Sequence, residues 1–89
     1  MKGEAVVKNQ EFFEKADIMR SVKDKLPESA DILYGEIGDE VEIVLNDGIK
    51  EAARELGMDI TWRNLFGSTW EASFMLDGVK ISEDITGDR

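Results

Sequence analysis

Apolar residues recur at two different periods along the chain, and the changes of period mark its elements. Phe12, Ala16, Met19, Val22 and Leu26 fall three or four apart, predicting a helix with one apolar face. Asn9 suits its N-cap and Glu11 its first turn. Glu11 with Lys15, and Arg20 with Asp24, are i,i+4 pairs for the outer face, and Pro27 ends the helix. Upstream, Glu4 to Lys8 reads as a short first strand. Ala30 to Ile37 and Glu40 to Leu45 then form a hairpin across a two-residue Gly38-Asp39 turn of the II′ kind. That turn sets Tyr34 opposite Ile43 and Ile32 opposite Leu45, with apolar side chains on one side of both strands.

Ile49, Ala52, Ala53 and Leu56 predict a second, narrow-faced helix, capped by Asn46 or Asp47 and closed by Gly57. Met58, Ile60 and Trp62 alternate with polar residues as a strand, and Asn64 to Thr69 reads as a loop. The last hairpin spans Trp70 to Ile85 and turns at Asp77-Gly78, a strong type I′ signal. Its register pairs Leu76 with Val79, Phe74 with Ile81 and Trp70 with Ile85. Only Ala72 opposite Glu83 breaks the apolar pattern. Thr86 to Arg89 reads as a frayed tail.

The order β-α-β-β-α-β-β-β implies an α+β fold, two helices packed on one face of a mainly antiparallel sheet. Its first six elements match the ferredoxin-like βαββαβ arrangement, with a C-terminal hairpin added. At 89 residues the chain makes one domain, residues 1–89. Apolar runs never exceed three residues, so neither a membrane-spanning helix nor a signal peptide is expected, and the location read from this is cytoplasmic. A charged fraction of 35%, one Gln, three Asn and no Cys suit a heat-adapted, thermophilic protein.

Charge narrows the partners. The formal net charge is −9, distributed unevenly. Residues 1–25 hold six bases and five acids, whereas residues 26–89 hold five bases and fifteen acids. Most of the surface therefore repels phosphate, and nucleic acid is not an expected partner. With neither His nor Cys, imidazole triads, thiol chemistry, disulfides and zinc-finger sites are excluded. No G-x-G-x-x-G or P-loop spacing occurs, and no Ser or Thr has the S-x-x-K partner. The protein is expected to be no enzyme.

Two acidic neighbourhoods remain as chemistry. Hard divalent cations such as Ca²⁺ take several oxygen ligands, carboxylates among them. Glu36, Asp39, Glu40 and Glu42 surround the first hairpin turn, and Glu83, Asp84 and Asp88 lie near the C-terminal end. Asp84 should also face Glu71, a like-charge pair that a cation, a lysine or simple fraying would relieve. No glycine has the surroundings of an EF-hand loop, so any Ca²⁺ site would be weak and of another kind. A solvated acidic surface is the plainer reading. In its length, its lack of His and Cys, and its ending Ile81-Ser82-Glu83-Asp84-Ile85-Thr86-Gly87-Asp88, the chain resembles small uncharacterised α+β proteins of methanogenic archaea. The resemblance implies calcium binding through acidic residues. The alternative is a protein-interaction module using Leu65, Phe66 and Trp70, where Leu-Phe beside Gly67 leaves an aromatic at the surface, together with the polarised charge. Against that stands Phe66 folding back over a small core. The Phe12–Leu26 stripe reads as core, not as a docking face.

Overall fold

The structure is a computed structural model and describes residues 2–87, with side chains from Gln10 onward. Its elements are α1 (Lys2–Lys25), β1 (Asp31–Ile37), β2 (Val41–Asp47), α2 (Ile49–Leu56), β3 (Thr61–Phe66), β4 (Thr69–Leu76) and β5 (Val79–Thr86). The fold is α+β, as the periodicity implies. The five strands form one sheet in the order β1-β2-β5-β4-β3, antiparallel except where β2 runs parallel to β5.

One element differs in kind from its expectation. Glu4 to Lys8 is no strand: α1 runs unbroken from Lys2, and Asn9 lies inside it instead of capping it. A run of three apolar residues carries no period of its own, and nothing between Ala5 and Leu26 breaks a helix. The element order is therefore αββαβββ, and the ferredoxin-like detail is not met. The helix ends where Pro27 requires, with the Leu26 N–H shared between the Val22 and Lys23 carbonyls. On its surface Arg20 pairs with Asp17 and not with Asp24, while Lys15 reaches away to the Gly38 carbonyl.

The core lies between the helices and one face of the sheet. Val41, Ile43 and Leu45 of β2, Val79 and Ile81 of β5, and Ala72 and Phe74 of β4 meet Met19 and Val22 of α1 and Ile49, Ala52 and Ala53 of α2. The alanines bring α2 close to β4 and β5. Met19 lies over Gly35 of β1, where an added Cβ would come within 2.6 Å of its sulfur.

The two hairpins compare differently with their predicted registers. The Asp77-Gly78 turn has positive φ at both residues (52° and 82°), as type I′ demands, and every predicted pair from Leu76–Val79 to Trp70–Ile85 is present. In the first hairpin Gly38 does not adopt positive φ, so no II′ turn forms. Gly38, Asp39 and Glu40 together make the connection, and Ile37 pairs with Val41. Tyr34 consequently faces Val44, not Ile43, and stands 52% exposed on the helix-free face. A bulge at Leu33 restores Ile32 to Leu45.

Candidate functional site

Glu83, the residue that spoils the apolar face of β5, has a structural partner. The residue is only 8% exposed, and its Oε1 accepts the Ile49 N–H at 2.9 Å. Helix α2 starts at Gly48, with no side-chain cap from Asn46 or Asp47. A carboxylate from a strand thus satisfies the exposed end of a helix that its own sequence leaves uncapped. Burial pushes the Glu83 carboxyl above the ordinary glutamate range. The Ile49 bond opposes that rise, Asp47 adds to it, and Lys50 opposes it. Glu83 also lines an open cleft of about 300 Å³ with Asp47, Gly48, Ile49, Lys50, Glu51 and Ile85.

The structure separates the C-terminal acids. Glu83 points into the core side, while Asp84 lies on the helix-free face opposite Glu71. Asp88 lies outside the described residues. The Asp84–Glu71 juxtaposition is as the register predicts, and cations of the chain itself attend to it: Lys80 Nζ lies 3.2 Å from Glu71 and Arg63 Nε 3.5 Å.

At the first turn, Glu36 and Glu42 are direct cross-strand partners, and Asp39 and Glu40 stand exposed between them. Ser82 donates to Glu42 Oε2 at 2.6 Å, and the Lys15 ammonium donates to the Gly38 carbonyl at 2.5 Å. A lysine from α1 therefore already brings positive charge to this turn. Among the described residues no group of three or more acidic side chains converges to hold a metal ion.

The Leu65-Phe66 segment is strand, not loop. Residues 64–66 extend β3, and a tight Gly67-Ser68 turn leads straight into β4. Asn64 Nδ2 donates to the Gly67 and Thr69 carbonyls, and the Gly87 N–H donates to the Ser68 carbonyl, so the tip is tied from both sides. Phe66 does not fold back: it is 70% exposed. Leu65 and Trp70 are half-buried beside it.

Exposed apolar residues also occur where periodicity assigned core. Phe12, at the head of the α1 stripe, is 53% exposed and makes an edge-to-face pair with Phe13, their centroids 5.9 Å apart. Ile32, Leu33 and Tyr34 are exposed along β1. The signal for the first was present in the sequence, but a stripe does not state how far a sheet extends beneath it. No helix among the described residues is long and apolar enough to cross a membrane. Comparisons with protein-family models, curated proteins and solved structures find no match to this chain.

Proposed function

We propose that this protein is a non-catalytic, acidic interaction module that engages a protein partner through the β3–β4 tip. One observation carries the reading. Four of the seven aromatic residues, Phe12, Phe13, Tyr34 and Phe66, are exposed in a domain with little apolar surface to spare. Among the described residues Phe66 is the most exposed of the large apolar side chains. It stands at the end of β3, beside a short turn held by Asn64, so little conformational freedom is lost when it is buried by a partner. The surrounding charge, strongly acidic outside α1, favours a basic partner surface and rapid encounter with it.

Divalent-cation binding has less support. The acidic residues divide between opposite faces of the sheet, and Lys15, Lys80 and Arg63 already sit among them. Catalysis lacks its usual parts in a chain without His or Cys.

A photo-crosslinking amino acid at position 66, introduced in the native host, tests the interaction reading. The expected result is one discrete adduct, suppressed by excess wild-type protein but not by Phe66→Ala protein. A probe at Glu55 is the control. No adduct, or the same diffuse labelling from both positions, would overturn it.

A further inference from the structure

The helix-free face of the sheet carries an inference that rests on the interaction reading and extends it to the chemistry of the partner. Both helices pack on the other face, and no described element covers this one. The strand registers fix what it presents. Among the described residues its bases are Lys80 and Arg63, and both go to Glu71, at 3.2 and 3.5 Å. Asp84, opposite Glu71, and Glu36, opposite Glu42, then have no ion pair among the described residues, and Glu42 has only the Ser82 hydroxyl. The face is therefore left with uncompensated negative charge.

Two exposed aromatic residues stand in line with Asp84, which is itself exposed. Tyr34 pairs with Val44, and Val44 with Ser82, two residues before Asp84. Phe66 pairs with Thr69, and Thr69 with Thr86, two residues after it. Each aromatic is thus two strands and two residues from Asp84, in opposite directions. At about 4.8 Å per strand and about 3.3 Å per residue, that is about 12 Å each way. An aromatic, an unpaired carboxylate and a second aromatic follow one another across the sheet on a diagonal.

We propose that this diagonal binds an amphipathic basic helix of a protein partner, with a lysine or arginine against Asp84 and an apolar residue against each aromatic. A helix satisfies its own backbone and needs only side-chain contacts from a sheet face, whereas an extended segment needs the hydrogen bonds of an edge. A span of about 12 Å is about eight residues of helix, and residues seven or eight apart share a helix face. The pattern that fits is therefore apolar, basic, apolar, at intervals of seven or eight. Charge selects this occupant. The uncompensated acids repel the phosphates of nucleic acid, and a second copy brings at best its near-neutral residues 1–25, the remainder being acidic.

Random peptides of about 18 residues, long enough to span the diagonal as a helix, are displayed on phage and selected on the full chain at low salt. The expected result is enrichment of sequences with net positive charge and the apolar, basic, apolar spacing. A synthetic peptide of the enriched sequence should give a saturable change in fluorescence anisotropy, gain helical circular dichroism on binding, and bind several-fold more weakly at high salt. Asp84→Asn, Tyr34→Ala and Phe66→Ala should each weaken it about fivefold or more, whereas Glu55→Gln on α2 should leave it unchanged. Asp84→Asn also removes a like charge facing Glu71, so its loss of binding does not come from a weakened fold. Loss with Phe66→Ala but with neither Tyr34→Ala nor Asp84→Asn overturns the helix on the diagonal and sustains the β3–β4 tip. Indifference to all three variants counts against both readings. No enrichment, enrichment of acidic or uncharged peptides, or a Phe66-dependent dimer in sedimentation equilibrium overturns the inference, whatever crosslinking at position 66 shows.

Discussion

Glu83 concentrates the residue-scale physics of this fold. It is a buried acid on a core-facing strand position, and it supplies the cap that α2 lacks. Its folded-state pKa is raised, so between the ordinary glutamate value and that raised value the folded form holds more proton than the unfolded form. Its contribution to stability is therefore fully present on the acid side and is lost as pH rises through the raised pKa. Glu83→Gln keeps an acceptor for the Ile49 N–H without the buried charge. It should raise the thermal midpoint at neutral pH by about 2–4 °C, roughly 0.5 kcal/mol, and the advantage should shrink on acidification. A midpoint difference independent of pH would show that charge is not the cause. Glu83→Ala removes the cap and should cost about 1 kcal/mol in denaturant unfolding. At this scale the sequence marks Glu83 as anomalous but not why. Its amide partner is 34 residues away, and cross-chain contacts leave no local signature.

Among the elements, success followed locality. The β4–β5 register was readable because Asp77-Gly78 selects its own turn and the turn dictates every pair beyond it. Gly38-Asp39 has the same appearance on paper, yet Gly38 stays at negative φ. There α1 decides, through Met19 seated over Gly35 and Lys15 bonded to the Gly38 carbonyl. Gly35 is drawn to the helix side and Tyr34 is turned outward. The start of α2 is likewise set by a distant element. Gly48 has φ 96°, and a Cβ there would come within 2.0 Å of the Ser29 carbonyl oxygen, which is backbone and has little freedom to retreat. Gly48→Ala should therefore destabilise by about 3 kcal/mol, combining left-handed strain with the clash. Gly57→Ala, with open space around it, should lose only about 1 kcal/mol. Equal losses in urea titrations would contradict this account of the α2 N-terminus.

For the whole molecule, net charge and the two sheet edges govern behaviour. A charge of −9 disfavours the compact state, so added salt should stabilise the fold. With no assembled carboxylate site among the described residues, Ca²⁺ and Mg²⁺ should act alike at equal ionic strength, giving diffuse, non-saturating NMR shifts. Saturable shifts confined to Glu36, Asp39, Glu40 and Glu42, larger for Ca²⁺ and lost in Asp39→Asn, would return the first turn to the list of cation sites. The edges differ in character. The β3 edge ends in a rigid tip that presents one aromatic. The β1 edge is flanked by a helix longer than the sheet it covers.

Much of this protein was settled by local pattern: α+β class, both helix stops at Pro27 and Gly57, the Asp77-Gly78 hairpin with its pairs, and the absence of imidazole and thiol chemistry. Each rests on a period or a turn residue whose effect reaches only a few positions. Tertiary structure alone decided that Glu83 caps α2, that Phe12 and Phe66 face water, and that the acidic residues part company. Those outcomes depend on where a sheet ends and which strand lies beneath which helix. Such distances are set by packing between segments far apart in the chain, and no short window of residues encodes them.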